Sequence, residues 1–240
     1  MAKPLVIFDL DGTLLDTASD LIGAVNRVLA DEGLPPMDGA RHRPTVGKGG
    51  RAMVAAGLAD AGVTVDDARL DALTERFVDY YIRHVADETQ PFPGMVAALD
   101  RLAGCGVALA VCTNKREVLA IELLEKMDLL PRFAAVVGGD SLDVRKPHPG
   151  HILGTIRAAG GRSESAVMIG DSAADIDAAR AAGVKVVGVS FGYTDVPVSE
   201  LGADAVIDHY DDLVGALAAL SPALAARFLP GIGLGLAGGI

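Results

Sequence analysis

Short apolar runs alternate with helix-length segments along the chain, and this predicts an α/β fold with a parallel sheet covered by helices on both faces. The runs are near-continuous rather than alternating, as strands buried on both faces require. One long interval breaks the alternation and carries helical periodicity instead, which predicts a small helical domain inserted into the α/β one. In order, residues 4–8, 107–111, 134–137, 166–169 and 184–189 read as buried strands, with Ala205–Ile207 a weaker sixth. Helices are expected over 94–104, 116–128, 148–160, 173–182 and 211–220. In the interrupting stretch, Leu21, Val25, Val28 and Leu29 set a helical face, Leu70, Leu73, Phe77 and Tyr81 set another, and a third helix is expected from Gly49 to Leu58. The division that follows is an α/β core over 1–15 and 91–220, an inserted helical domain over 16–90, and a tail over 221–240.

Composition narrows the function classes. The chain has 240 residues with 21 Lys and Arg against 32 Asp and Glu, a formal net charge of −11. A polyanion needs a basic footprint, so nucleic acid is not an expected partner. No apolar run reaches the roughly 18 residues of a membrane span, and an anionic bilayer surface would repel this charge. The first apolar run stops at Asp9, too soon for a secretory signal, and two cysteines cannot form a disulfide framework. A cytoplasmic protein, monomer or homodimer, with reduced thiols is the expectation. Residues 221–240 hold no acid, one Arg and a closing glycine-dense run, read as a flexible tail.

The polar residues at the strand ends carry the chemistry. The first strand runs into Asp9-Leu10-Asp11-Gly12-Thr13. In an open parallel sheet, ligands bind beyond the carboxyl ends of the strands. The pair also suits a turn in which Asp and Gly cap the next element. The second core strand runs into Cys112-Thr113-Asn114, groups that suit either a phosphate or a helix cap. Lys146-Pro147-His148-Pro149 fixes a lysine between constrained positions, although a lone lysine is normally solvated. Gly170-Asp171-Ser172-Ala173-Ala174-Asp175 brings two more carboxylates to a helix start, where Asp175 also favours the helix dipole. Four aspartates on one sheet edge repel strongly unless a hard cation joins them, and Mg2+ fits that donor set.

Taken together and in order, Asp9–Thr13, Thr113, Lys146–Pro149 and Gly170–Asp175 resemble the four motifs of the haloacid dehalogenase superfamily. The resemblance runs from Pro4 to about Leu220. It implies a Rossmann-like doubly wound parallel core with a helical cap inserted between the first two motifs. It further implies that Asp9 is the nucleophile and Asp11 the general acid, then base. Thr113 and Lys146 would hold the transferring phosphoryl oxygens. Asp9, the backbone carbonyl of Asp11, and Asp171 would bind Mg2+, with Asp175 supporting the metal site. A dehalogenase needs no acid two residues after its nucleophile, so Asp11 marks the phosphatase branch. Within that branch the pattern is most similar to the phosphoglycolate phosphatases, which implies 2-phosphoglycolate, a small phosphorylated metabolite, as substrate. Caps of this kind also occur in β-phosphoglucomutases and in other small-metabolite phosphatases and pyrophosphatases. A non-catalytic relative binding a metabolite or protein shares the fold, but every motif side chain is present here.

The inserted domain offers one further clue. Residues 41–51 contain Arg41, Arg43, Lys48 and Arg51 and no acid. A carboxylate substrate needs a cation, and Lys48 and Arg51 are the candidates for its non-phosphate end, with Asn114 beside Thr113 a further substrate contact. Exposed basic loop is the plain alternative. Gly47-Lys48 is not a phosphate-binding P-loop, since position 42 is His rather than Gly and no Ser or Thr follows Lys48, and the GxGxxG at 233–238 has no strand–helix unit around it.

Overall fold

The apolar runs become one six-stranded parallel sheet in the computed structural model, which describes residues 3–228. In chain order the strands are β1 (Leu5–Phe8), the two-residue β2 (Leu15–Asp16) and β3 (Gln90–Pro91), then β4 (Ala108–Cys112), β5 (Ala135–Val137), β6 (Ala166–Gly170), β7 (Lys185–Val189) and β8 (Ala205–Ile207). The sheet order is β5-β4-β1-β6-β7-β8. Leu5 therefore stands opposite Ala108 on one side and Ala166 on the other. Every residue of β1 is buried, so the strand reads as an unbroken apolar run. The chain moves outward from β1 to β5, then crosses back to β6. That reversal at β1 opens the crevice in which such sheets bind ligands.

The helices are α1 (Ala18–Asp31), α2 (Gly39–His42), α3 (Gly50–Asp60), α4 (Asp67–Tyr81), α5 (Met95–Gly104), α6 (Glu117–Lys126), α7 (Pro149–Ala158), α8 (Ala173–Ala181), α9 (Leu213–Leu220) and α10 (Pro222–Phe228). Alternate strand residues feed two cores. Val6, Phe8, Val111 and Ile169 pack with Leu99 of α5, Leu123 of α6 and Leu217 of α9. Leu5, Ile7, Ala110 and Met168 pack on the other face with Ile152 of α7 and Ile176 of α8. The sheet is thus wound on both sides, the α/β class read from the sequence.

The interrupting stretch leaves and rejoins the core through a ribbon. Leu15 pairs with Pro91 and Asp16 with Gln90, antiparallel. Between these strands α1, α3 and α4 pack on one another, burying Met53, Leu73 and Phe77. Their apolar faces are continuous with the core that holds Val6 and Phe8. The helix expected from Leu70, Leu73, Phe77 and Tyr81 ends at Tyr81, where Arg83 and His84 turn back onto the carbonyls of Tyr80 and Tyr81.

One expectation is corrected. The segment 221–240, read as a flexible tail, begins with a docked helix: α10 opens on Pro222, which suits a first helical position, and Leu224 is fully buried. The glycine density that opposes a helix starts only beyond it. Residues 229–240, including the GxGxxG at 233–238, lie outside the described residues. Leu224→Ala is expected to lower unfolding free energy by about 2–4 kcal/mol in urea denaturation. A change below about 0.5 kcal/mol would show that the helix contributes no packing.

Candidate active site

Backbone hydrogen bonds of the sheet carry the polar residues to its carboxyl edge. Asp9 N donates to the Ile169 carbonyl at 2.9 Å and Thr113 N to the Val137 carbonyl at 3.0 Å, each extending a ladder by one residue. After Asp9 the chain does not continue extended. Leu14 and Leu15 both donate to the Leu10 carbonyl, and Gly12 takes φ +82°. A Cβ at Gly12 would stand 2.5 Å from Asp171 Oδ2, so both conformation and space require glycine there. The turn holds Asp11 at the cavity wall, where its Oδ1 accepts from Thr17 Oγ1 at 2.7 Å and Lys115 Nζ at 2.8 Å.

Lys146 is wholly enclosed. Its Nζ donates to the Cys112 carbonyl at 2.7 Å and Asp175 Oδ1 at 2.6 Å, and stands 2.9 Å from Asp9 Oδ1. The approach to Asp9 is out of line, which leaves that buried oxygen without a hydrogen bond. Two contacts hold the lysine's loop in place. Asn114 Nδ2 donates to the Lys146 carbonyl at 2.9 Å, and His151 Nδ1 accepts from Lys146 N at 3.2 Å. His151 Nε2 then donates to the Gly138 carbonyl at 3.0 Å, so His151 is a structural anchor.

Asp171 and Asp175 complete the edge. Asp171 Oδ1 accepts from Thr13 Oγ1 at 3.1 Å and Oδ2 from Tyr193 N at 2.6 Å. Asp175 Oδ2 accepts from Ser172 N and Oγ in a capping box that starts α8. Carboxylate oxygens of Asp9, Asp171 and Asp175 all lie within 4.8 Å of one another. Burial pushes Asp9 up to about 6, with Asp175 and Asp11 adding to the rise and Lys146 opposing it. Burial and the charges of Asp175 and Asp9 push Asp171 up to about 8. Burial disfavours the Lys146 ammonium, but Asp175 and Asp9 outweigh it and hold the lysine above its usual range. Three buried carboxylates face one ammonium, and one carboxylate oxygen accepts no hydrogen bond. An all-oxygen donor set with excess negative charge fits a hard divalent cation.

Above this edge lies a cavity of about 490 Å³. Asp9, Asp11 and Thr113 line its floor, and Lys48, Arg51 and Tyr81 its opposite wall. The two basic residues singled out in the sequence are tied to other groups. Lys48 Nζ pairs with Asp195 at 2.7 Å, and Arg51 with Asp67 and Asp71 at 2.7 Å each. Sequence reasoning missed Lys115, which touches Asp11 and the Tyr81 hydroxyl, the latter at 2.9 Å. Burial works against the Lys115 charge, while Asp11 and Tyr81 more than offset it and raise its pKa. It also missed Thr17 on Asp11, and Tyr193, whose hydroxyl donates to Asp16 Oδ1 at 2.6 Å while its N–H holds Asp171. A tyrosine 22 residues beyond Asp171 carries no local signal of that contact.

The profile of the haloacid dehalogenase-like hydrolases matches residues 6–189, which include every strand-end residue above. The chain belongs to that family. Similar proteins include the phosphoglycolate phosphatase of Agrobacterium fabrum strain C58, 48% identical over 222 residues, which cover 92% of this chain and 92% of that one. The phosphoglycolate phosphatase of Caulobacter vibrioides is 48% identical over 208 residues, 87% of this chain and 88% of its own. Among solved structures, a protein described as a predicted phosphoglycolate phosphatase from Haemophilus somnus 129PT superposes with a TM-score of 0.82 at 28% identity. That match covers 89% of this chain and 97% of the other. This haloacid dehalogenase-like hydrolase is a phosphatase.

Proposed function

We propose that this phosphatase hydrolyses 2-phosphoglycolate to glycolate and phosphate, with Mg2+ as cofactor and Asp9 as the nucleophile. The observation that carries the reading is the buried Asp9 oxygen without a hydrogen bond, set between an ammonium and two further carboxylates at the floor of a cavity. Asp9 and Asp171, with the Asp11 carbonyl, would hold the metal, and Asp175 would back the site through Lys146. Bound there, Mg2+ would neutralise charge on the transferring phosphoryl group.

Every other element of the reaction belongs to the chain. Asp9 attacks phosphorus and forms an aspartyl phosphate, splitting one difficult displacement into two easier ones. Lys146 and Thr113 stabilise the equatorial oxygens from a site organised before substrate arrives. Asp11 gives a proton to the leaving glycolate oxygen and then takes one from the attacking water. The helices of residues 16–90 act as a cap that shuts water out of the cavity. Lys48 and Arg51, on the cap side, line the entrance but are already paired with Asp195 and with Asp67 and Asp71. The size of the cavity and the relatives' activity support a small metabolite. Among the described residues no helix is long and apolar enough to cross a membrane, and we place the enzyme in the cytoplasm as a monomer or homodimer.

With Mg2+, phosphoglycolate is expected to give the highest kcat/KM among phosphoglycolate, sugar phosphates, pyrophosphate and nucleotides. A sugar phosphate or pyrophosphate that is turned over faster would overturn the substrate assignment. Metal binding has its own readout. Mg2+ at about 100 times its Kd stabilises the fold by about 2.7 kcal/mol, raising Tm by roughly 5–10 °C. Asp171→Asn is expected to abolish that shift; an equal rise in wild type and variant would place the metal elsewhere.

A further inference from the structure

We propose that Lys115 binds the carboxylate on the leaving group, and so makes the site select short phosphorylated hydroxy acids over uncharged phosphate esters. The inference rests on the phosphomonoesterase reading above and assigns the group that sets its substrate class.

The cations on the cavity wall are not equivalent. Lys48, Arg51 and Arg116 are about half exposed, and each is answered by an exposed carboxylate: Asp195, Asp67 with Asp71, and Glu75; Arg145, also on the wall, is exposed to water. The Lys115 side chain is only 5% exposed. Its desolvation is already met in the folded state, and a carboxylate reaching it encounters an ammonium in a low-dielectric site. The same contact made by Lys48 would compete with water and salt.

Position decides the matter further. Lys115 Nζ lies 2.8 Å and 3.1 Å from the two oxygens of Asp11. Asp11 serves the leaving oxygen, so a cation touching Asp11 stands on the leaving-group side of the transferred phosphoryl group. In 2-phosphoglycolate a single methylene separates the ester oxygen from the carboxyl carbon. A carboxylate so close to the reacting atoms needs a cation beside Asp11, not one across the cavity. The ammonium has three donors, spent here on Tyr81 and on both oxygens of Asp11. When Asp11 turns to the leaving oxygen it gives up at least one of them, and the substrate carboxylate takes its place.

The loop sets the spacing between the two ends of the substrate. Lys115 N donates to Thr113 Oγ1 at 3.2 Å, and its carbonyl accepts from Gly139 N at 2.8 Å. The phosphoryl contact and the carboxylate contact are thus two residues apart on one fixed turn. Behind the ammonium, the Tyr81 ring lies 4.6 Å from Nζ to its centroid, and the residue is fully buried. Tyr81 belongs to α4 of the inserted helices, so this contact packs the ammonium of Lys115 against them.

The test compares 2-phosphoglycolate with 2-hydroxyethyl phosphate, which replaces the carboxylate by a hydroxymethyl group, on the Mg2+-loaded enzyme. Wild type is expected to prefer phosphoglycolate strongly in kcat/KM. Lys115→Met should reduce that preference by about 30-fold, the worth of one charged hydrogen-bonding contact. A lysine that only positions Asp11 would lower both substrates by a common factor and leave the ratio alone, which would overturn the proposal. Lys115→Arg keeps the buried charge if the Met variant does not fold, and its displaced donors should lower the ratio by a smaller factor. An unchanged ratio in that variant would also overturn it. No Mg2+-dependent phosphate release from either substrate by wild type would sink the phosphatase reading and this one together. Normal wild-type turnover with an unmoved ratio would sink this one alone.

Discussion

Asp9→Asn is expected to lower kcat for 2-phosphoglycolate by on the order of 10⁴-fold or more, as loss of a nucleophile does in enzymes with a covalent intermediate. The amide matches the carboxylate in size and keeps an oxygen for Lys146 Nζ, which stands 2.9 Å away. What it lacks is a nucleophilic oxygen. It also removes one of three buried carboxylates gathered within 4.8 Å, so the metal-free fold loses a repulsion and gains no cavity. Activity and stability should therefore separate: kcat collapses while the metal-free Tm stays level or rises. A fall in both would mean that the substitution acts through folding.

Lys146→Met has the second largest effect, and there the two properties fall together. Side chains of Lys146 and Asp175 are 1% and 0% exposed, and the ammonium also satisfies the Cys112 carbonyl. Removing one partner of a buried pair leaves the other charge without compensation, at a cost of about 3–5 kcal/mol. For a domain of this size Tm should drop by roughly 10 °C. Below that temperature kcat should still fall by on the order of 10²–10³-fold, because a preorganised cation is missing from the phosphoryl site. The pair is best resolved with a double variant. Lys146→Met with Asp175→Asn should be more stable than the sum of the single changes predicts, by about 1–3 kcal/mol. Strict additivity would show that the two side chains do not depend on each other.

Much of this arrangement was legible in the residues because its signals are local. A strand buried on both faces is an apolar run, and β1, β4, β6 and β7 start and stop within a residue or two of those runs. Asp9, Asp171 and Asp175 were legible because each follows such a run within six residues, and the sheet's parallel order then brings separate strand ends together. Contacts made by folding the inserted helices over the core were not legible. Lys115 precedes a helix, where an exposed lysine is ordinary; only the return of α4 buries it against Tyr81, 34 residues earlier in the chain. Tyr193 reaches Asp16 across 177 residues. The β2–β3 ribbon is too short to show a period, since two residues define no alternation. Helix α10 was hidden by its neighbours in sequence: it is seven residues long, and a glycine-dense run follows it closely.

The basic stretch 41–51 illustrates a subtler gap. Charge alone marked it as a site for an anion, and the cavity does lie against it. Yet Arg43 is used to hold Asp16, with its guanidinium over the Tyr193 ring, and Arg41 and His42 both meet Asp60. Most of that charge is taken up by neighbouring carboxylates. Composition reports how many cations a segment holds, whereas burial and partners decide which of them is left for a ligand.

The claim on which the rest depends is that phosphoryl transfer passes through Asp9. Acid-quenched enzyme, sampled during turnover of 2-phosphoglycolate with Mg2+ and digested for mass spectrometry, tests it most directly. The account predicts one added phosphoryl group on the peptide that carries Asp9, absent without Mg2+ and absent in Asp9→Asn. A phosphoryl group on another side chain, or steady turnover by Asp9→Asn at the wild-type rate, would contradict it.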